Sequence, residues 1–325
     1  MILAGDIGGT SARLGFFEIR NGKPFPVAER TYRSQQYKGL DDIATDFMES
    51  QRHKVRAACF GIAGPVRHGR VVTPNLAWVV DSRSLAQELG LARVNLLNDL
   101  EANAYGIAML DPEDLVTLNP GATDASGNQA VLSVGTGLGE AGLFWDGKTH
   151  RPFACEGGHG DFAPRDELEA ELLLWMWSKY GGHISYERVL SGPGLLAIYE
   201  FLRDTGKIAE EPEVVRAMAE GDASAVVSRT ALDGRDELCM KALDMFVSFY
   251  GAESGNLALQ TMATGGMFIG GGIAPKILQK LQGPGFMTAF TEKGRMKPLL
   301  QAMPVRVIIK DTAALLGAAR FAAMA

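Results

Sequence analysis

The chain has 325 residues, of which 46% are hydrophobic and 22% charged, a balance typical of a folded globular protein. A single hydrophobic core has usually stopped growing at this length, so we expect two lobes. The formal net charge of −6 argues against partners that require a basic face, and we expect neither nucleic acid nor an anionic membrane as a partner.

The three cysteines, Cys59, Cys155 and Cys239, are widely separated and form no C-x-x-C pair. This spacing indicates neither a disulfide framework nor a structural zinc site. No basic segment precedes the first apolar run, which Asp6 interrupts. No apolar stretch approaches the ~20 residues that span a bilayer. We therefore expect reduced thiols and a cytoplasmic protein.

The first hundred residues alternate between strand-like and helix-like segments. Strands are predicted at residues 2–5 and 12–18, with a tight turn at Gly8-Gly9-Thr10 between them, and Asn21-Gly22 indicates a hairpin. The pattern then predicts a helix at 40–51, a strand at 55–62, a turn at 68–69, a helix at 82–89, a strand at 93–97 and a helix at 100–109. Such alternation predicts an α/β lobe.

Asp111-Pro112 interrupts this pattern and marks a predicted domain boundary. Beyond it the chain is mostly helical, with strands predicted at 130–134 and 142–145 and long helices at 167–179 and 237–264. Gly251 and Gly255 are candidate break points in the second of these helices. A strand at 267–269, a helix from Pro275, a strand at 305–309 and a helix at 312–324 complete the prediction.

Two strings match nucleotide-binding patterns by spacing alone. Residues 142–149 satisfy the P-loop pattern GxxxxGK[ST], but such a loop must follow a strand and open a helix. Here residues 143–145 are strand-like and Asp146-Gly147 predicts a hairpin turn. Residues 137–142 satisfy GxGxxG but lead into another strand, so the dinucleotide-binding context is also missing. We interpret both matches as chance.

Three other glycine-rich turns are candidate phosphate or nucleotide sites. The segment 6–11 lies between two predicted strands, and its glycines allow close backbone approach while Thr10 adds a hydroxyl donor. A similar turn, Gly135-Thr136-Gly137, also joins two strands, and residues 270–272 lie between a strand and a helix. One such turn alone is more typical of an ordinary hairpin, but three in this order are more informative.

In this order the turns resemble the phosphate-1, phosphate-2 and adenosine motifs of the actin-like ATPase superfamily. Within it, the chain resembles the bacterial glucokinase family over essentially its whole length. The matching stretches are residues 5–10, 98–99, 135–139, 156–159, 161–163, 187–192 and 270–273. The resemblance implies an α/β fold of the two-lobed actin-like ATPase (ribonuclease H-like) type. We predict a small α/β domain at 1–110, a larger α+β domain at 111–309 with the cleft between them, and a C-terminal helix at 310–325 that returns to the small domain.

The resemblance also implies a glucose site made by Asn98, Asp99, Glu156, His159 and Glu187, with Asn75 as a further hydroxyl ligand. Carboxylates, an amide and an imidazole suit a sugar, whose hydroxyls both donate and accept. Asp99 follows a predicted strand at its carboxyl end, where open α/β sheets bind ligands. Capping of the helix predicted from Leu100 is an alternative role for Asp99, compatible with the first. Glu187, considered alone, is typical of a solvated surface residue.

The implied reaction transfers the γ-phosphate of ATP to the 6-hydroxyl of glucose, with Asp99 as the general base. Asp6 would hold Mg²⁺ through water. The implied nucleotide-binding residues are Asp6, Ile7, Gly8, Gly9, Thr10, Ser11, Gly135, Thr136, Gly137, Gly271 and Gly272. Ser11 stands where the family usually has Asn, which shortens the reach of the hydrogen-bonding group at that position.

Other readings of the same motifs stay open at this point. The acceptor could be another hexose, and the donor could be polyphosphate. A non-catalytic sugar sensor or an actin-like ATPase could share the fold, but the ATPase leaves Glu156, His159 and Glu187 unexplained. We expect the protein to form a homodimer.

Overall fold

The computed structural model describes residues 1–51, 53–73 and 76–325, and the chain divides into two compact units. The first unit contains Met1–Asp114, Arg151–Ala154 and Lys310–Ala325. The second contains Leu115–His150 and Cys155–Ile309. Within the described part of the chain, none of the helices combines the length and apolar character that a membrane span requires.

The first unit is built on a five-stranded sheet with helices packed against it. Its strands and helices are β1 (Ile2–Ile7), β2 (Ser11–Arg20), β3 (Lys23–Arg33), α1 (Leu40–Gln51), β4 (Ala57–Ile62), β5 (Arg70–Val72), β6 (Val79–Asp81), α2 (Ser82–Glu88), β7 (Val94–Asn98), α3 (Asp99–Ile107) and, from the end of the chain, α12 (Ala313–Met324). The sheet order is β3-β2-β1-β4-β7, and β5 pairs with β6. Strands β1, β4 and β7 are parallel, so their carboxyl ends meet at one sheet edge, where Ile7, Ile62 and Asn98 are aligned.

Two tight turns in this unit lie at the residue pairs where the sequence predicts them. Asn21 and Gly22 have φ values of 52° and 77° and join β2 to β3, which confirms the hairpin predicted there. His68 and Gly69, at 52° and 76°, form the second predicted turn. Asn and Gly tolerate this left-handed backbone better than other residues, which is why these pairs mark two-residue turns. The helix predicted at 40–51 is also confirmed.

The last helix, α12, packs against α3 and against strands β1 and β4. The two helices approach closely because each has a glycine at the contact. A Cβ on Gly106 would overlap the carbonyl oxygen of Ala313, and a Cβ on Gly317 would overlap that of Ala102. The Arg320 guanidinium also donates to the main-chain oxygen of Tyr105 at 3.0 Å. The end of the chain therefore supports the helix that begins at Asp99.

The second unit combines a sheet with a large helical core. Its strands are β8 (Leu115–Asn119), β9 (Gln129–Val134), β10 (Leu138–Trp145), β11 (His150–Cys155), of which residues 151–154 belong to the first unit, β12 (Gly266–Gly270) and β13 (Val305–Ile308). Its helices are α4 (Glu167–Tyr180), α5 (Gly192–Asp204), α6 (Pro212–Glu220), α7 (Ala223–Leu232), α8 (Glu237–Thr261), α9 (Leu278–Leu281), α10 (Pro284–Thr291) and α11 (Lys297–Ala302). Strands β10, β9, β12, β13 and β8 are neighbours in that order.

The helix α8 is continuous, so the break considered near Gly251 or Gly255 was wrong. Both glycines lie at the contact with α10, where a Cβ on Gly251 would overlap the carbonyl oxygen of Phe286 and one on Gly255 would lie 2.5 Å from that of Phe290. Glycine at these positions allows close helix packing and does not interrupt the hydrogen-bond ladder.

The P-loop-like string lies in a strand and a turn, as predicted. Residues 142–145 belong to β10, and Asp146 Oδ1 accepts hydrogen bonds from the N–H groups of Lys148 and Thr149 at 2.9 and 2.8 Å. Gly147 has a φ of 92°. No helix follows in this described segment, since β11 comes next. In the GxGxxG string, Gly137 likewise lies in a turn and residues 138–142 lie in β10.

Candidate active site

Asn98, the last residue of β7, caps α3 and thereby sets the position of Asp99. Its side-chain Oδ1 accepts hydrogen bonds from the N–H groups of Leu100 and Glu101 at 2.9 and 3.3 Å. Its Nδ2 donates to the carbonyl oxygen of Gly64 at 3.2 Å, and the side chain is buried. The sequence analysis considered Asp99 as the cap, but Asn98 has the extended backbone that a capping residue requires, with ψ of 148°. Asp99 is the first residue of the helix.

Asp99 lies partly buried at the helix N-terminus, where the helix dipole favours a carboxylate. One of its carboxylate oxygens accepts from the Leu100 N–H at 2.9 Å. Its negative charge acts on Asp6, which lies on β1 at the same sheet edge. The structure therefore brings together two of the carboxylates that the sequence analysis singled out.

Burial, followed by the charge of Asp99, raises the pKa of Asp6 to about 6. Arg13, which is opposite Asp6 in the β1–β2 register, acts in the other direction. The guanidinium of Arg13 is itself paired with Asp311, with Nη2 and Oδ2 2.8 Å apart. Sequence reasoning missed both of these charged residues, because their proximity to Asp6 depends on strand pairing and on the return of the chain terminus.

The phosphate-1 turn after Asp6 is a tight hairpin, as predicted. The Gly8 N–H donates to the Ser11 carbonyl oxygen at 2.9 Å, and the exposed Thr10 and Ser11 stand at its tip. Ser34, which sequence reasoning missed, is fully buried and donates from Oγ to the carbonyl oxygen of Gly8 at 2.8 Å. Its own N–H donates to the Thr10 carbonyl at 3.1 Å. The turn is thus held in shape from the end of β3.

The phosphate-2 turn lies in the second unit, between β9 and β10. The carboxylate of Glu187 accepts a hydrogen bond from the Leu138 N–H at 2.9 Å and lies against Gly137, where a Cβ would be 2.5 Å from Oε2. The Gly192 N–H donates to the Gly135 carbonyl at 2.9 Å, which ties the start of α5 to the same turn. Glu187 is therefore attached to the turn, and the solvated surface position expected for it on its own was wrong.

A pocket of about 510 Å³ contains residues of the phosphate-2 turn and of the adenosine motif. Gly135, Thr136 and Gly272 line it together with residues from α5, α7 and the turn before α9, among them Pro193, Leu196, Asp222, Ser224, Ile273 and Lys276. Gly271, with a φ of 87°, packs so closely on Val134 that no side chain would fit. Sequence reasoning named the glycines of this pocket but not the residues of α7.

Glu156 directly precedes a single turn of 3-10 helix, Gly157–His159, and His159 is the last residue of that turn. Glu156 Oε2 and His159 Nε2 are 4.0 Å apart, and both side chains are more than half exposed. His183, which the sequence analysis did not consider, contacts the main-chain oxygen of His159 through Nε2 at 2.8 Å and pairs with Asp161 through Nδ1 at 2.9 Å. The two exposed side chains are thus available to a polar ligand.

Asn75, the further predicted hydroxyl ligand, lies outside the described residues. The predicted residues Asp6–Ser11, Asn98 and Asp99 belong to the first unit. Glu156, His159, Glu187, the phosphate-2 turn and the adenosine motif belong to the second.

Comparison with known proteins identifies the family. The glucokinase family model matches residues 3–325. Over 99% of its length the chain is 40% identical to the glucokinase of Nostoc sp. (strain PCC 7120), 99% of which is covered. The chain belongs to the glucokinase family. The glucokinase of Saccharophagus degradans is 33% identical over 98% of this chain and 96% of its own length.

Solved structures of glucokinases share the fold. A glucokinase from an Antarctic psychrotroph is 30% identical, with a TM-score of 0.85 over 100% of this chain and 99% of that chain. A ROK family glucokinase from Streptomyces griseus, solved with glucose and AMPPNP, has a TM-score of 0.67 at 21% identity, covering 100% of this chain and 99% of that chain. These neighbours confirm the predicted α/β, actin-like ATPase fold class.

Proposed function

We propose that the protein is an ATP-dependent glucokinase that transfers the γ-phosphate of ATP to the 6-hydroxyl of glucose, giving glucose 6-phosphate and ADP. The observation that carries the proposal is the pair of Asp6 and Asp99 at one sheet edge, with a phosphate-type glycine turn directly after Asp6. A sugar kinase requires a base for the attacking hydroxyl and a carboxylate near the phosphates, and this edge offers both.

Asp99 is the proposed general base. It would accept the proton of the 6-hydroxyl as this oxygen attacks the γ-phosphorus. The Asn98 cap holds the first turn of α3, so the carboxylate of Asp99 is fixed to a rigid element and not to a loop. Such positioning supplies much of the catalysis in phosphoryl transfer, where the protein has little covalent chemistry to perform.

Asp6 is the proposed Mg²⁺ residue, acting through water. Hard oxygen donors suit this ion, which in kinases is usually held by one or two carboxylates together with substrate phosphates. The Asp6 carboxylate suits this ion. Burial and the charge of Asp99 raise the pKa of Asp6, and a cation beside it would stabilise the ionised form. Among the described residues no group of three or more His, Cys, Asp or Glu side chains could hold a metal alone, which favours a site completed by phosphate and water. Bound Mg²⁺ would neutralise negative charge on the transferred phosphoryl group.

The remaining predicted residues divide between the nucleotide and the sugar. The turn amides and hydroxyls of Gly8, Gly9, Thr10, Ser11, Thr136 and Gly137 would bind phosphates, with Ile7 and Gly135 in the same turns. The pocket that contains Gly272 would take the adenosine, with Gly271 allowing its close packing. Glucose hydroxyls would be bound by Asn98, Asp99, Glu156, His159, Glu187 and Asn75.

Other features of the proposal rest on the sequence and the family, and not on the geometry of the site. We propose a cytoplasmic homodimer whose product enters glycolysis. The domain limits that we propose are 1–110 and 111–309, with 310–325 returning to the first domain.

Initial rates of ADP release over a panel of hexoses, with ATP and Mg²⁺, test the activity. We expect glucose to give the highest kcat/KM, and hydrolysis of ATP without sugar to be slower by several orders of magnitude. Rapid hydrolysis without sugar would support the ATPase alternative, and a higher kcat/KM for mannose or fructose would reassign the acceptor. Sedimentation measures the oligomeric state.

A further inference from the structure

Glu140 is a buried carboxyl group that the proposed mechanism does not use. It lies on β10 with 1% of its surface exposed, and no hydrogen-bond donor in the described part of the chain reaches its Oε1. It interacts with Glu253 on α8, a second carboxyl group that is 4% exposed. Two buried carboxylates cannot both be ionised at low cost, so the pair must share a proton.

The surroundings of the pair decide which of the two carboxyl groups keeps the proton. Glu253 Oε2 accepts a hydrogen bond from Asn256 Nδ2 at 2.7 Å, and Lys293 Nζ donates to Asn256 Oδ1. Among the described residues Glu140 has no comparable donor, since the thiol of Cys155, a weak donor, lies 3.9 Å from its Oε2. Burial, followed by the charge of Glu253, raises the pKa of Glu140 to about 8. Glu140 is therefore the protonated member at neutral pH.

Glu140 lies directly beneath the turn that carries two of the proposed sugar ligands. Leu138 and Glu140 are two residues apart on β10 and so project from the same face. A Cβ on Gly157 would overlap Glu140 Oε2, and a Cβ on Gly158 would overlap the carbonyl oxygen of Leu138. The Gly157–His159 turn therefore packs on the Glu140 side chain, with Glu156 and His159 at its ends.

We propose that protonated Glu140 is a positioning residue for this turn, and that loss of its proton displaces Glu156 and His159 and weakens glucose binding. The inference rests on the proposed function, since it assigns these two residues to the sugar. When Glu140 is neutral, its carboxyl group can donate a hydrogen bond to Glu253, and the Gly157–His159 turn stays packed on its side chain. An ionised one repels Glu253 in a medium where charges are weakly screened.

Other titratable groups near the pair must be separated from it experimentally. Cys155 faces Glu140, while Tyr186 and Lys293 face Glu253. The charges of Arg165 and Glu169 interact with Tyr186 and Lys293, and the charge of Glu156 interacts with Cys155. Glu140→Gln and Glu253→Gln remove one ionisable carboxyl each and retain side-chain volume, so neither variant can form two adjacent charges. Glu169→Gln is the matched control, since Glu169 is also buried but pairs with Arg165.

Calorimetric titration with glucose alone, without nucleotide, measures the effect. Between about pH 6.5 and about pH 9.5 we expect the wild-type Kd to increase as Glu140 loses its proton, by up to about tenfold per pH unit. The two variants at the pair should have a flat profile, and Glu169→Gln should retain the wild-type one. A flat wild-type profile, or an unchanged increase in both pair variants, would overturn the proposal. Absence of glucose binding at pH 7 in every protein would instead refute the proposed function.

Thermal unfolding gives a readout that is independent of the sugar. Because the folded-state pKa of Glu140 lies above its value of 4.5 in the unfolded chain, the wild type loses stability as pH rises from about 4.5 to about 8. The Tm of Glu140→Gln minus the Tm of the wild type should therefore increase with pH over this range and become constant above it. A constant difference would show that the folded protein holds the Glu140 proton no more tightly than the unfolded chain, and would also contradict the inference.

Discussion

The carboxylate of Glu187 accepts the main-chain N–H of Leu138 at 2.9 Å, so a proposed sugar ligand is also part of the support of the phosphate-2 turn. The two roles are compatible, because a carboxylate has two oxygens and only one of them makes this bond. One side chain of the second unit is thus both a proposed sugar ligand and a support of the proposed phosphate-binding turn.

Glu187→Ala should weaken the binding of ATP even when no sugar is present. A hydrogen bond to a charged acceptor contributes about 1.5–3 kcal/mol, and loss of part of it from the turn should raise the Kd for ATP about 3- to 30-fold. Glu187→Gln keeps an acceptor for Leu138 and should stay within about threefold of wild type. Equilibrium dialysis with an ATP analogue measures both.

Glu156→Gln is the matched control for this experiment, since Glu156 pairs with His159, whereas the phosphate-2 turn is contacted by Glu187. It should weaken glucose binding without changing the Kd for ATP. An unchanged Kd for ATP in Glu187→Ala would show that the turn keeps its shape without this contact.

Asp99→Asn should lower kcat by about 10²–10⁴-fold, the usual contribution of a general base, while glucose binding is partly retained. Steady-state kinetics with coupled ADP detection measures the change. Glu101→Gln, a carboxylate in the first turn of the same helix, should keep kcat within a few-fold of wild type. Turnover near the wild-type rate in Asp99→Asn would show that Asp99 is not the general base.

Asp6→Asn should stabilise the protein at neutral pH while it lowers activity. The pKa of Asp6 is about 6 when folded and 3.8 when unfolded, so the folded wild type binds more protons and loses stability as pH rises through this window. Removing the charge should raise the free energy of unfolding by about 1–3 kcal/mol at pH 7 and by little below pH 4. Urea denaturation without nucleotide or Mg²⁺ measures it.

Asp124→Asn serves as the control for that measurement, because Asp124 lies exposed in a loop. It should change the stability little at either pH. Equal stability of Asp6→Asn and wild type at pH 7 would contradict a raised pKa for the Asp6 carboxyl group.

Gly317→Ala should destabilise the contact between α12 and α3. The added methyl group would overlap the main-chain oxygen of Ala102, and overpacking of this kind costs about 1–3 kcal/mol. In Gly285→Ala, on α10, the added Cβ would lie 3.8 Å from the nearest atom, Cγ1 of Val247. This substitution should be neutral or stabilising by up to about 1 kcal/mol. Chemical denaturation compares them, and equal stabilities would show that the helices can separate at no cost.

Local chemistry made much of the first unit predictable. The φ values at Asn21-Gly22 and His68-Gly69 are those that such pairs favour, and the apolar spacing of residues 40–51 located α1. The hairpin at Asn21-Gly22 was predicted, but the bounds of its second strand, β3, were not. Most residues of β3 are exposed, so its sequence lacks the alternation that marks a half-buried strand. Asn98 was not recognised as the cap because Asn98 and Asp99 are both good capping residues, and backbone geometry decides between them.

Contacts between distant segments made the rest of the site unpredictable. Ser34 supports the phosphate-1 turn from the end of β3, and Asp311 reaches Arg13 from the other end of the chain. A glutamate in a strand, such as Glu140, is usually expected at the surface. Its burial beside Glu253 follows from the packing of α8 on the sheet, which no local pattern encodes.

The position of α12 has a consequence for the order in which the molecule is assembled during synthesis. Residues 115–309, apart from 151–154, form a unit whose chain is synthesised in full before residues 310–325 leave the ribosome. The first unit contains residues 1–114, which are synthesised before the second unit, and residues 310–325, which are synthesised after it. The helix that carries Asp99 therefore gains the support of α12 only once residues 310–325 have been synthesised, and a chain that stops before them would contain the proposed nucleotide pocket but lack this support for the proposed general base.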